Sequence, residues 1–248
     1  MIRHEVTGGV ATITLDSPHN RNALSQQLIT DLLAALDSAV TDPGTRVIVL
    51  SHTGPAFCAG ADLKETVAGF ESGQVPAGRM GDVLAALWES PKPVIARVGG
   101  AARAGGLGIV AAADIAVCAD DVTFAFTEVR IGVIPAVISA TVLPRLTPRA
   151  AAELFLTGDT FDARRAVEVG LVTAAVPASG LDARVDAYAR ALLRGAPGAL
   201  AGTKELLRAP IRARLAELTE LSVRYFTSDE GREGIGALLA KRQPHWIP

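Results

Sequence analysis

The feature that most constrains this chain is a series of short, almost continuously apolar runs: Val47 to Leu50, Val94 to Val98 and Ile115 to Ala119. A strand that alternates apolar and polar residues has one wet face. A run without alternation is covered on both faces, as in a mainly parallel sheet flanked by helices. The intervening segments have helical spacing. Ser25 is placed to cap a helix over Gln26 to Val40, and the stretch Gly81 to Glu89 ends before Pro91-Lys92-Pro93. Val10 to Leu15 reads as a further strand, followed by a turn at Ser17-Pro18-His19-Asn20. A glycine-rich bend from Gly99 to Gly106 leads into a small-residue helix through Ala113. Beyond about Leu181 the strand signals stop. Four helical stretches follow, divided at Gly195-Ala196-Pro197-Gly198, Pro210 and Ser228-Asp229. The expected organisation is an α/β core over residues 1–190 with a helical region over 191–248.

Composition narrows the function classes. With 49% apolar and 20% charged residues, the chain has material for a substantial core. A net charge of −2 gives no bulk attraction to nucleic acid or to an anionic membrane. The longest stretches free of Asp, Glu, Lys and Arg are Val47 to Ala61 and Ile131 to Pro144; both are too short to span a bilayer, and both contain proline. Cys58 and Cys118 form no disulfide framework and read as buried thiols. The N-terminal segment alternates like a strand and lacks the apolar core of a signal peptide. A cytoplasmic location, with neither nucleic acid nor membrane as partner, is the expectation.

Several chemistries find no support. There is no G-x-S-x-G, no H-E-x-x-H and no Walker A sequence, and His4, His19, His52 and His245 are scattered. Gly106-Leu107-Gly108-Ile109-Val110-Ala111 fits the loose G-x-G-x-x-A dinucleotide fingerprint. That fingerprint needs a tight turn directly off a strand, whereas the apolar run here ends well upstream at Val98.

Three other segments carry more. In Phe57-Cys58-Ala59-Gly60-Ala61-Asp62-Leu63-Lys64-Glu65, small residues let backbone N–H groups approach a ligand, and Asp62 is placed to cap a helix bearing Lys64. In Val98 to Gly106, glycines precede a helix, so free N–H groups and the positive end of its dipole face the loop. One N–H from each loop could hold a thioester oxygen as it becomes an enolate. In Phe124 to Pro135, Glu128 is the one carboxylate of a largely apolar region, where desolvation would raise its pKa into the range useful for acid/base work. Taken singly, each segment has a plainer reading: a strand-to-helix loop, close helix packing, or a Glu128–Arg130 surface pair.

In order and spacing, however, these segments resemble the enoyl-CoA hydratase/isomerase (crotonase) family. The resemblance starts at Arg21-Asn22-Ala23-Leu24-Ser25 and runs through Lys92 to Val98, the glycine loop and Thr127 to Pro135. It continues through Thr157-Gly158-Asp159 and Ala166 to Val172, and ends with Glu230 to Ile235 and Lys241-Arg242. It implies a spiral of ββα turns, a C-terminal helical region, assembly as a homotrimer or dimer of trimers, and an acyl-CoA thioester as substrate without a separate cofactor or metal. Carried over by position, Ala61 and Gly105 would supply oxyanion-hole amides and Glu128 the acid/base. Ala59, Gly60, Lys64, Gly106, Gly108, Arg130 and Lys241 would line the thioester and CoA path, with Lys241 reaching nucleotide phosphates.

Two departures matter. Hydratases of the family carry a second glutamate where this chain has Gly108, which moves weight toward a Δ3-Δ2-enoyl-CoA isomerase working with one base. The run Glu128 to Gly132 followed by Pro135 to Ser139 resembles the branch that hydrates branched or carboxylated acyl-CoAs, with Arg130 or Arg103 as partner of a substrate carboxylate. A 2-enoyl-CoA hydratase is the leading expectation. The isomerase comes next, then a non-catalytic acyl-CoA-binding protein; a hydrolase or decarboxylase ranks lower.

Overall fold

The computed structural model describes residues 1–72 and 75–247. The apolar runs form the middle of a six-stranded sheet. Its strands are β1 (Ile2–Thr7), β2 (Val10–Leu15), β3 (Val47–His52), β5 (Val94–Val98), β7 (Ile115–Ala119) and β10 (Ala174–Val176), in the order β1-β2-β3-β5-β7-β10. Only the β1–β2 hairpin is antiparallel; every other pairing in this sheet is parallel. The hairpin turns at Gly8 and Gly9, both at positive φ, the conformation that glycine adopts without strain. Val47, Ile48, Val94, Ile95 and Val117 are fully buried, as their missing alternation requires.

A second, smaller sheet escaped the sequence reading. It comprises β4 (Ala56–Cys58), β6 (Ala101–Arg103), β8 (Thr123–Ala125) and β9 (Phe161–Asp162), in that order, with only β9 antiparallel. Strands of two or three residues are too short to show periodicity. The two sheets together make the spiral: β3 and β4, β5 and β6, β7 and β8 are successive ββ pairs. After the first two pairs come helices α2 (Leu63–Ala68) and α4 (Gly105–Ala112); after the third comes a short 3-10 turn, Glu128–Ile131.

The remaining helices cover the sheets. α1 (Gln26–Thr41) is capped by Ser25, whose hydroxyl accepts from the Leu28 N–H at 3.1 Å. α3 (Met80–Trp88), α5 (Ala136–Val142), α6 (Pro148–Thr157) and α7 (Ala163–Glu168) complete the core region. Four helices follow the last strand: α8 (Leu181–Leu193), α9 (Pro197–Leu207), α10 (Arg212–Phe226) and α11 (Asp229–Leu239). The buried face of α8, Leu181, Val185 and Ala189, belongs to the main core, and that helix ends at Leu193, just past residue 190.

A buried ionic knot holds the end of α9 to the core. Asp114 pairs with Lys204 at 2.7 Å and with Arg208 at 2.9 Å, while the Arg208 guanidinium lies 4.3 Å from the Trp88 ring centre. Arg208 and Arg145 also donate to carbonyls at the C-terminal end of α4, where cations complement the helix dipole. Besides the main core, a small second apolar cluster gathers Val75, Ala77, Val133, Phe226 and Ile235, with Ala61, Leu63 and Ile131 packed on it. It joins α10 and α11 to the loops that follow β4 and β8.

Candidate active site

The three expected site groups occupy matching steps of the spiral. Ala61 lies three residues beyond the end of β4, Gly105 two beyond β6, and Glu128 three beyond β8. Because β4, β6 and β8 are adjacent parallel strands, their ends deliver these residues to one side of the small sheet. All three border a single cavity of about 920 Å³.

Residues 21–24 hold the first loop. Asn22 is fully buried; its side-chain amide donates to the carbonyls of Thr53 and Ala56, and its Oδ1 accepts from the Ser17 N–H. So anchored, the backbone of Leu24 donates to the Gly60 carbonyl at 2.8 Å and accepts from the Asp62 N–H at 3.1 Å. That two-bond bridge skips the Ala61 N–H. Asp62 then caps α2, as expected, accepting from the N–H groups of Lys64 and Glu65.

The second loop turns at Ala104, a non-glycine residue at φ +47°, which brings Gly105 in as the first residue of α4. Backbone strain of this kind gathers at functional sites. The loops touch: a Cβ on Gly60, itself at φ +91°, would lie 3.0 Å from the Ala104 Cβ, and one on Gly105 would lie 2.8 Å from Leu24 Cδ1. Among the described residues, neither the Ala61 nor the Gly105 N–H meets a protein acceptor. Two unpaired donors on the wall of one cavity can hold an oxygen that gains negative charge.

Glu128 opens the 3-10 turn and is 5% exposed. Its Oε2 is buried without a hydrogen-bond partner, and burial pushes the carboxyl up to about 7. The cause is desolvation of the charged form with no cation to offset it.

The other expected residues divide. Ala59, Lys64 and Arg130 line the cavity. Gly60, Gly106, Gly108 and Lys241 do not. Gly106 and Gly108 are buried packing positions of α4. β6 ends three residues before Gly106, nearer than the apolar run ending at Val98 suggests. A Cβ on Gly106 would nevertheless lie 2.8 Å from Cys58 Cβ, so protein and not a phosphate fills that space. Lys241 is exposed just past α11, at φ +54°. The Arg130 guanidinium is bound to Asp159 and to the Thr157 carbonyl. Arg103 donates to Thr123 and to the Ala102 carbonyl, and it lies outside the cavity.

The apolar wall was beyond the sequence reading. Met80, Val137, Ile138 and Phe226 come from α3, α5 and α10, which pack together only in the folded chain. At the other end, Arg21, Lys64 and Asp62 give the lining a polar stretch. Among the described residues no group of three or more His, Cys, Asp or Glu could hold a metal, and no helix is long and apolar enough to cross a membrane.

Comparison with known proteins agrees with this geometry. Residues 5–247 match the family model described as enoyl-CoA hydratase/isomerase. A Rhodobacter capsulatus protein named "Probable enoyl-CoA hydratase" is 36% identical over 251 residues, covering 99% of this chain and 97% of that one. The crystal structure of an enoyl-CoA hydratase from Mycobacterium avium superposes with a TM-score of 0.88 at 47% identity, covering 99% and 98% of the two chains. A methylmalonyl-CoA decarboxylase in complex with 2-nitronate-propionyl-CoA superposes with a TM-score of 0.84 at 26% identity, covering 99% and 98%. With its ββα spiral and a family match running from residue 5 to residue 247, the chain belongs to the enoyl-CoA hydratase/isomerase family.

Proposed function

We propose that the chain is an enoyl-CoA hydratase that adds water across the C2–C3 double bond of a 2-enoyl-CoA with a single carboxylate. The reading rests on one juxtaposition: the unpaired Ala61 and Gly105 amides and the Glu128 carboxyl, whose Oε2 has no partner, border the same cavity. The thioester oxygen would lie against the two amides. Glu128, ionised, takes a proton from water as the water oxygen bonds to C3, and the displaced π electrons move onto the thioester as an enolate. The protonated Glu128 then returns that proton to C2. A carboxyl poised at about 7 serves both half-reactions near neutral pH. The thioester itself stabilises the carbanion, so the scheme calls for no metal or redox cofactor.

The polar stretch around Lys64 and the Ala59–Ala61 loop would face the CoA moiety. Lys241 would reach the nucleotide phosphates only from a neighbouring subunit or after movement of its segment. Leu206 and Leu207, 88% and 77% exposed on α9, support assembly of the 191–248 region into a homotrimer or dimer of trimers, a state light scattering would read. A cytoplasmic location belongs to the same proposal. With Arg130 and Arg103 already engaged by Asp159 and Thr123, the reading favours an uncharged acyl group over a carboxylated one.

The test is turnover of crotonyl-CoA, 3-methylglutaconyl-CoA and a 3-enoyl-CoA by the wild type and by Glu128→Gln. Loss of the 2-enoyl absorbance, abolished in the variant, supports the hydratase. One observation favours an isomerase instead: Ile138 fills the space where a second carboxylate would stand, leaving one base to carry a proton between C2 and C4. In that case the absorbance appears from the 3-enoyl substrate alone. Binding of all three thioesters without turnover would replace both readings with a non-catalytic acyl-CoA-binding protein.

A further inference from the structure

α10 and α11 contribute Ser222, Phe226, Leu238 and Leu239 to the cavity wall; Ser222 is the polar residue of that set. It is 2% exposed, on the buried face of α10 that also carries Leu215, Leu218 and Phe226. A hydroxyl inside a helix ordinarily bonds the carbonyl four residues back. Thr30, Thr203 and Thr227 do so in this protein, at 2.8, 2.7 and 3.0 Å. The Ser222 hydroxyl does not; among the described residues it has no hydrogen-bond partner in the protein. The residue is buried, but its oxygen is not sealed in the protein: it opens onto the cavity, where water or a ligand can meet it. A ligand that displaces the water must replace that bond.

We propose that Ser222 is a specificity-determining contact: the acyl cavity takes a thioester whose chain carries a neutral oxygen, a hydroxyl or a ketone, that hydrogen-bonds to it. Two observations set the class. A plain alkyl chain would displace water from the hydroxyl and leave it unpaired, whereas an oxygen on the chain restores the bond. A carboxylate is disfavoured because it would share the cavity with Glu128, while the nearby Arg130 is already held by Asp159. The proposal rests on the acyl-CoA reading of the cavity, but not on which reaction follows.

The experiment is calorimetric binding of four saturated thioesters, which offer no double bond to hydrate, to the full chain: hexanoyl-CoA and its 4-, 5- and 6-hydroxy derivatives, used fresh with free thiol assayed to exclude lactone formation. Wild type, Ser222→Ala and the size-conserving Ser222→Cys are compared, with melting curves to show that each variant folds. Expected is one hydroxyhexanoyl-CoA binding about ten-fold or more tightly than hexanoyl-CoA to the wild type. That preference should fall to about two-fold or less in Ser222→Ala, with hexanoyl-CoA unchanged or improved. Three results overturn the proposal: no hydroxylated chain gains over hexanoyl-CoA, the gain survives Ser222→Ala, or the substitution weakens all four equally, as loss of a general structural role would. Turnover of the matching 2-enoyl thioesters separates the two readings. If the Ser222-dependent preference appears without hydration, the hydratase fails and the specificity contact stands.

Discussion

Ile138 occupies the volume that any side chain at position 108 would need: a Cβ built on Gly108 would lie 2.6 Å from Ile138 Cγ2 and 3.0 Å from its Cβ. Both residues are buried, on the facing helices α4 and α5. Position 108 is therefore a filled core position, not a vacancy that water or a neighbouring group can occupy.

Gly108→Glu alone should destabilise the fold by about 1–3 kcal/mol through overpacking, which thermal unfolding would record as a lowered melting temperature. Adding Ile138→Ala should recover part of that loss. If the cavity hydrates enoyl thioesters, the double variant should then turn over crotonyl-CoA faster than Ile138→Ala does. An unchanged rate would show that position 108 is no longer able to address the reacting carbon.

Glu128→Gln should lower turnover by about 10²–10⁴-fold, as expected for loss of the group that moves the proton. Stability should change in the opposite sense. The folded carboxyl titrates at about 7, against 4.5 for an exposed glutamate, so the folded state holds the extra proton between these values. Stability is thus complete below about pH 4.5 and declines as pH rises through 7. Glutamine removes that decline, so above pH 7 the variant should be the more stable by roughly 1–3 kcal/mol. Denaturant titrations at pH 5 and pH 8 would read the difference.

His52 contributes a pH dependence of the other sign. Its Nε2 accepts from the Gly99 N–H at 3.0 Å, a bond the protonated ring cannot make, and burial lowers its pKa. The unfolded chain therefore takes up a proton first as pH falls. The stability that this residue contributes is present above about pH 6.5 and is lost as pH drops through the lower folded value. In His52→Gln, unfolding between pH 5 and pH 7 should lose the part of the acid slope that belongs to this ring.

Gly234 of α11 lies against the Ile131 backbone, in the turn that Glu128 opens, and a Cβ there would overlap the Ile131 carbonyl. Gly234→Ala should push α11 off that turn. Turnover should fall roughly 10–100-fold through misplacement of the acid/base group, while the main melting transition moves little. A parallel loss of both would mean that α11 is part of the global folding unit.

The main sheet was legible because burial on both faces writes itself into Val47 to Leu50, Val94 to Val98 and Ile115 to Ala119 as continuous apolar runs. The caps at Ser25 and Asp62 were legible because a short polar side chain before a periodic stretch has one common use. The small sheet was not, since β4, β6 and β8 have three residues each and no measurable period. Placing Glu128, Ala61 and Gly105 together needed the ordered set of motifs, for nothing local brings residue 24 to residue 61 or residue 105 to residue 128. The opposite wall was beyond reach for a physical reason. Met80, Ile138, and the pair Ser222 and Phe226 come from three different helices, and on a helix an apolar residue that faces a cavity carries the same periodic signal as one that faces the core.

The matching steps of the spiral have a consequence for how such a protein changes over generations. Two of the three proposed reactive groups are main-chain amides whose places are set by the pitch of a repeating backbone, so most side-chain substitutions nearby leave the oxyanion site intact. Mutation can rewrite the lining, as in placing a hydroxyl at 222, and each experiment would still begin from the proposed oxyanion site. Chemistry on this scaffold can drift by single steps without passing through an inert intermediate.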